Sequence, residues 1–331
     1  MAKFVIQRIL IIPLLLLLVN FLGFTYAHYA RPIRAARTPY VRAEEPEPLI
    51  PSYVSYLKTL FNLDFDMEIV TPITARSNTP TTLGETLKSA ALASLGLLGI
   101  ALSLSVIVGL YLGFKSTRND PPDVSGWLTV FSTAGLAMPS FYIGSLLIIA
   151  LVFYILWKGP DANVLLPLSG YGWDLHLVLP VLALMARPTF QLAQVTAGVL
   201  SGELGKQYVI AGRSFGQSWR SIRLHYALKN VIAPVILTIA GLQRFLVGEL
   251  ILIEWLFRWP GLGRILGWTL VPAQQTSSAV SPLFLNPPIM ATVLVLIAAF
   301  FLIADFLAAV LVRILDPRLR EQELQIVTRS D

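Results

Sequence analysis

Six long apolar runs separated by polar segments set the pattern of this chain. They cover residues 4–26, 83–114, 127–157, 175–199, 231–256 and 288–315. About 20 predominantly apolar residues cross the hydrocarbon core of a bilayer as a helix, so each run is predicted to span a membrane. The first, FVIQRILIIPLLLLLVNFLGFTY behind Lys3, has the basic start and Leu-rich centre of a secretory signal. Its apolar part exceeds a signal core and no clean A-x-A site follows, so a retained helix is expected. Small residues dot the second run (Ser94, Gly96, Gly99, Ser103, Ser105) and would let helices approach closely in lipid. In the third, MPSF at 138–141 predicts a kink, because Pro139 has no backbone donor.

The polar segments divide by length. Residues 27–82 carry Pro32, Pro39, Pro46, Pro48, Pro51, Pro72 and Pro80, too long a stretch for a mere connector. A folded or partner-facing excursion is expected there, with YVSYLKTLF as a short amphipathic helix at the membrane surface. KSTRNDPPD is a short link, and GPDANVLLPLSGYGWD an outer turn. WPGLG, at 259–263, reads as a tight turn rather than a binding loop, because Pro-Gly supplies the turn chemistry.

Residues 207–230, QYVIAGRSFGQSWRSIRLHYALKN, carry Arg213, Arg220, Arg223 and Lys229 and no acid. At about 2.5–3.5 kcal/mol per cation at the bilayer centre, the four would cost roughly 10–14 kcal/mol there. The segment is therefore expected in water or at the surface. On a helix Phe215, Trp219, Ile222 and Tyr226 form one apolar stripe, with Arg213 and Arg220 opposite. Gly216 interrupts, so helix–turn–helix is expected. Two readings stand: a basic cytoplasmic loop with a surface helix, or an element docking in a cytoplasmic partner's groove.

Composition narrows the class. Of 331 residues 55% are hydrophobic and 13% charged, against about 25% charged in soluble domains. The net charge of +6 sits mostly beside apolar runs, which favours orientation in a membrane over nucleic-acid binding. Lys3, Arg8, the 115–123 link, the 201–230 segment, Arg313, Arg318 and Arg320 define the inner side, so both termini are expected in the cytoplasm. Arg31, Arg34, Arg37 and Arg42 run against this, but long loops count less. There is no cysteine, and the three histidines, His28, His176 and His225, are scattered, so no metal site is expected.

Polar residues inside or beside apolar runs are candidates for a path or for interhelical contacts. They are Arg187, Gln191, Gln194, Arg244, Glu249, Glu254 and Asp305. Arg244 and Glu249 are five apart and should not pair. Glu254 and Arg258 are expected to pair at i, i+4 near the outer surface. Arg187 and Asp305 are candidates for an interhelical pair.

YVIAGRSFG followed by YALKNVIAPV resembles the cytoplasmic loop of ABC importer permease subunits, in the dipeptide/oligopeptide/nickel branch. That loop reads approximately Y-V-x-x-A-R-x-x-G, a spacer, then H-A-L-x-N-x-x-x-P. Tyr208, Val209, Arg213, Gly216, Ala227, Leu228, Asn230 and Pro234 fall in register. HLVLP at 176–180, MPSF with Gly144, Glu254 followed by F-x-WPGLG, DPRLR at 316–320 and the first apolar run are similar to further motifs of the family.

The resemblance implies an all-α membrane protein of about six transmembrane helices, with type I-like permease architecture and a cytoplasmic coupling helix. Its parts would be an N-terminal transmembrane helix at 1–26, an extracytoplasmic segment at 27–82, a five-helix core at 83–320 with coupling loop 201–230, and a cytoplasmic tail at 321–331. Tyr208, Ala211, Gly212, Arg213, Gly216, Asn230 and Pro234 would couple to an ATPase. Partners implied are a second permease chain, two cytoplasmic ATP-binding subunits, an extracytoplasmic substrate-binding protein and the lipid bilayer, with no nucleic acid. The place implied is a prokaryotic plasma (inner) membrane. The chain has no G-x-x-x-x-G-K-[ST] phosphate loop, so ATP hydrolysis would belong to separate subunits, and neither enzymatic activity nor a cofactor is expected.

An alternative is a permease-derived structural subunit that has lost transport coupling. It is motivated by Lys206, Gln207 and Phe215 in the loop and by the insert VPAQQTSSAVSP. A secondary transporter or channel would need an ion site, for which the scattered carboxylates are poor material. Peptide is the cargo the resemblance favours, with nickel chelates and sugar-like solutes left open.

Overall fold

The computed structural model describes residues 2–36, 47–62, 68–69, 81–159, 166–271 and 283–315. The expectations for DPRLR, the 321–331 tail and most of the 271–286 insert lie outside the described residues. Six helices are long and apolar enough to cross a membrane: Val5–Arg34, Leu83–Ser116, Ser140–Lys158, Leu175–Leu204, Trp219–Leu256 and Pro287–Leu311. The fold is an all-α membrane architecture with two short hairpins, Glu68–Ile69 with Thr81–Thr82 and Thr117–Asn119 with Pro122–Val124.

Several predicted boundaries move. Helix α1 is Ala2–Ala36 and runs ten residues past the predicted end at Tyr26. Ala27, Ala30, Ala35 and Ala36 favour helix, and Pro32 is carried inside it. The third apolar run is two helices, α4 (Gly126–Ala137) and α5 (Ser140–Lys158), rather than one kinked rod. Met138 (φ −94°, ψ 124°) and Pro139 (φ −69°, ψ 151°) are both extended. A residue before proline is pushed from the helical region, and here the break is complete. The KSTRNDPPD link closes as the second hairpin.

The chain forms two compact units. One comprises Ile6–Gly96 and Arg258–Leu302. In it α2 (Leu49–Phe61) is the predicted amphipathic helix, longer by a turn. Leu49, Tyr53, Tyr56, Leu57 and Leu60 recur at helical spacing and pack with Phe24 and Ala291. Asn20 Nδ2 donates to Tyr56 Oη (2.8 Å), and Tyr53 Oη donates to Asn20 Oδ1 (3.0 Å). Tyr56 Oη lies 3.0 Å from Thr292 Oγ1, whose own proton goes to Pro288 O. Tyr56 is therefore the donor to Thr292. Asn20→Leu breaks this relay at its buried end, at a cost of about 1.4 kcal/mol. Hydrogen exchange across residues 49–61 is expected to quicken about tenfold. Unchanged exchange would show that the rings alone hold α2.

The WPGLG turn lies in the same unit. Arg258 takes φ +56°, Gly261 N donates to Trp259 O (2.8 Å), and α10 (Leu262–Leu270) follows. Trp259 is fully buried and its Nε1 donates to Ala93 O at 3.1 Å, while Leu262 N donates to Ser94 Oγ at 2.9 Å. The motif is a pinned turn, as expected.

The second unit comprises Met1–Val5, Leu97–Phe257 and Ile303–Asp331. Its centre is α6 (Val178–Leu204) against α9 (Leu228–Leu256). In α3 (Leu83–Ser116) Gly109 and Gly113 meet α6. A Cβ on Gly109 would lie 3.0 Å from Thr189 O, and one on Gly113 2.6 Å from Thr196 Cβ. This is a G-x-x-x-G contact, in which missing side chains bring two backbones together. Gly135 of α4 makes room for the Phe190 ring, and Gly144 of α5 for Leu256 and Phe257. The MPSF-with-Gly144 motif thus serves helix packing. In HLVLP, Asp174 Oδ1 accepts from His176 N (2.9 Å) and caps the turn opening the fourth span. That amide bond, with the His176 ring, holds the Asp174 carboxyl below the usual carboxylate range.

Candidate functional site

The loop between the fourth and fifth spans has the expected helix–turn–helix form. Helix α7 is Gln207–Ser214, Gly216 turns the chain at φ +78°, and α8 is Trp219–Ser221. A left-handed φ suits glycine because a Cβ would clash there. Ser218 Oγ accepts from Ser221 N (3.2 Å) and caps the second arm. A π-helical turn, Ile222–Ala227, leads into α9. The continuous helix that carries the fifth apolar run therefore starts twelve residues before that run, at Trp219 instead of Val231, with Arg220, Arg223 and Lys229 on its polar lead-in.

A buried carboxylate organises this region. Glu203, in the last turn of α6, is buried and accepts from Tyr208 Oη (3.0 Å), Asn230 Nδ2 (3.0 Å) and Lys206 Nζ. One side chain thus ties the end of α6, the start of α7 and the first turn of α9. Burial first, then the bond to Glu203, raises the Tyr208 hydroxyl above its ordinary value, so at neutral pH it stays a donor. Arg223 of the π-helical turn donates from Nη1 to Phe114 O (3.2 Å) and from Nη2 to Thr117 O, anchoring the second arm to the end of α3. Val209 and Ile222 are buried in the same apolar cluster as Leu200, Leu204 and Val231.

The outer side of α7 is open. Arg213 Nη1 donates to Gln217 O (2.6 Å) and its guanidinium lies 4.8 Å from the Trp219 ring centroid. Ala211, Arg213 and Ser214 are exposed, as is Ile210. Phe215 is 85% exposed, which corrects the predicted stripe of Phe215, Trp219, Ile222 and Tyr226. The turn at Gly216 takes Phe215 out of phase with the next helix, and Ile222 alone of the four is buried. Tyr226 is exposed too, its hydroxyl accepting from Gln217 Nε2 (3.2 Å). Of the predicted residues, Tyr208 and Asn230 meet at Glu203, while Gly212, Arg213 and Gly216 form the turn. Pro234 stands apart, inside α9.

Glu203 itself was not among the predicted residues. A single acid near a helix end carries no periodicity, and its partners follow three, five and 27 residues later. The absence of acid between 207 and 230, set against four cations, was the available signal that a partner carboxylate lay just outside.

The intramembrane polar residues pair differently from expectation. Arg187 Nη1 meets Glu249 Oε1 at 3.2 Å, and Ser140 Oγ also donates to Glu249. Asp305 instead takes Arg244, whose Nε donates to Oδ1 at 2.7 Å. The proposed Arg187–Asp305 pair is thus replaced by two pairs, each anchored on α9 and each crossing to another helix. Arg244 and Glu249 do not pair with each other, as their spacing requires. The i, i+4 relation of Glu254 to Arg258 fails because α9 ends at Leu256 and Arg258 is left-handed; Glu254 is fully buried and Arg258 exposed. Ser132 Oγ donates to Gln194 Oε1 (2.8 Å), and Gln191 is half-buried one turn earlier on α6.

The family described as binding-protein-dependent transport system inner membrane component matches residues 105–321, which include α7, the Glu203 hub and both charge pairs. The chain is similar to "Probable peptide ABC transporter permease protein y4tP" of Sinorhizobium fredii, with 30% identity over 67% of each chain. It is similar to the oligopeptide transport system permease protein AppB of Bacillus subtilis, 26% identical over 96% of this chain and 99% of the relative. A third relative is the dipeptide transport system permease protein DppB of Lactococcus lactis, 30% identical over 66% of each chain. With a family match over more than half its length and six apolar spans, the chain belongs to the binding-protein-dependent transport system inner membrane components, the permease subunits of ABC importers, in their peptide branch.

Proposed function

We propose that this chain lines half of a translocation path for peptides or similar small solutes, and that a cytoplasmic ATPase drives it through α7. The second half is another permease chain, alike or different. Two ATP-binding subunits sit beneath the pair, and an extracytoplasmic binding protein delivers the solute. The membrane is a prokaryotic plasma membrane, with both termini and the 201–230 loop inside and the segment after α1 outside. Peptide as cargo rests on the names of the relatives.

The observation that carries the reading is the combination of a braced inner side and an open outer side on α7. Glu203, Asn230 and Arg223 join the loop to α6, α9 and α3, so a displacement of α7 is passed to three helices. Ile210 and Phe215 are left exposed beside Arg213, an apolar and cationic face of the kind that fills a groove on a partner. Tyr208, Gly212 and Gly216 act by holding that face in place; Ala211 and Arg213 belong to it.

The chain has no cysteine, so a single thiol reports contact cleanly. Phe215→Cys, labelled with a maleimide–benzophenone, is expected to cross-link to the ATPase subunit on irradiation. Phe61→Cys, exposed on α2, is not. Efficient cross-linking at 61, or none at 215 in an assembled complex, would reject the docking role.

A further inference from the structure

We propose that Arg244, braced by Asp305, is a carboxylate-binding subsite inside the translocation path. The proposal rests on the transport reading above and names what the path recognises. Arg244 lies about 18 Å along the helix axis from Leu256 and about 20 Å from Val231, at 1.5 Å per residue. It therefore sits near the middle of a hydrocarbon core about 30 Å thick. The two partners are unequally covered: the Asp305 side chain is 9% exposed and that of Arg244 56%. An exposed guanidinium at this depth costs about 2.5–3.5 kcal/mol against lipid, so this face of α9 is turned to water or protein.

The geometry of the pair leaves the useful side of the guanidinium free. Asp305 Oδ1 accepts from Nε and from Nη2. Among the described residues no other acceptor reaches Arg244, which leaves the Nη1 donors and the outer Nη2 proton. A fork of parallel N–H groups fits a carboxylate. Asp305 orients the fork and neutralises its charge, so a solute is held without being trapped. There is room beside it: a Cβ on Gly241 or Gly248 would meet nothing within 4 Å. Leu237, Phe245 and Leu252 on the same stretch are exposed. A mostly apolar face with one fixed fork suits a peptide, with apolar side chains and a terminal carboxylate. The Arg187–Glu249 pair differs: its arginine is more covered than Arg244, Ser140 adds a further bond, and Arg187 stacks on Phe245. It is a brace between helices.

The test uses the assembled complex in proteoliposomes, with labelled trialanine or its C-terminal amide below saturation. The rate ratio of free to amidated solute is taken in wild type and in Arg244→Gln. The binding protein's own preference enters both ratios and cancels. The ratio is expected to fall about tenfold, with amide uptake held within twofold. Because Arg244→Gln strands a buried carboxylate, the double variant Arg244→Gln/Asp305→Asn is measured alongside, and the same fall is expected. An unchanged ratio overturns the subsite. Equal loss of both solutes with separation of the permease chains also overturns it, and assigns Arg244 to a contact with the partner chain. No ATP-driven uptake by wild type would overturn the transport reading, and the subsite with it.

Discussion

Replacing Glu203 by Ala is expected to cut ATP-driven uptake at least tenfold while leaving the chain inserted and folded. The substitution removes three bonds at once, from Lys206, Tyr208 and Asn230. Hydrogen bonds to a charged group contribute about 1.5–3 kcal/mol each. Lys206 and Asn230 are exposed and regain water, so the net loss is about 2–4 kcal/mol. That loss falls on the joint between α6, α7 and α9 and not on the packed spans, so motion of the docked helix is no longer passed on in full. ATP hydrolysis in the complex should continue with little uptake to match it. Glu203→Gln keeps an acceptor for Tyr208 and Asn230 and should recover part of the transport. Full uptake by Glu203→Ala would remove the carboxylate from the coupling mechanism.

The largest effect on stability is expected from Gly113→Leu. A Cβ there would stand 2.6 Å from Thr196 Cβ and 2.9 Å from Ala193 O. A side chain can change rotamer, but a backbone oxygen in the middle of α6 cannot step aside, so the two helices must separate. Overpacking a tight site costs about 1–3 kcal/mol, and the neighbouring Gly109 contact is lost with it. A fall of roughly 6–12 °C in the unfolding midpoint of the purified chain would correspond to about 3 kcal/mol. Gly99→Ala is the control: nothing lies within 4 Å of a Cβ at that position, and the midpoint should hold or rise slightly. Equal midpoints for the two variants would contradict a G-x-x-x-G contact between α3 and α6.

What the sequence reveals about this fold follows from which energies are large. Lipid penalises polar backbone and charge so strongly that all six spans, and the polar placing of Arg213, Arg220, Arg223 and Lys229, follow from composition along the chain. Turn chemistry is local, so Gly216 and WPGLG are readable too. The finer errors have one origin, which is that side-chain partners depend on how each helix is rotated in the packed bundle. Arg187 lies opposite Glu249 and Arg244 opposite Asp305 for that reason, and no spacing rule within one helix decides between them. Phe215 leaves its apolar stripe because one left-handed residue resets the helical phase. Met138 and Pro139 break a helix where a kink was expected, because the local preference of both residues for extended backbone goes unopposed. Of the small residues picked out in α3 by composition, Ser105 reaches α6 at Met185 O (3.4 Å), but Gly109 and Gly113, the next two turns of the same face, were not among them. Glu203 escaped notice since its worth lies in three partners brought to it by the fold.

The central claim, that ATP turnover by docked subunits moves a solute past this chain, is tested most directly by transport itself. Proteoliposomes holding this chain, a second permease chain, the ATPase and the binding protein are loaded with ATP and offered a labelled tripeptide. Accumulation is expected to require ATP and to fail when the ATPase or the binding protein is omitted. Accumulation that persists without ATP, or a stable complex that assembles around this chain and contains no ATPase, would contradict it.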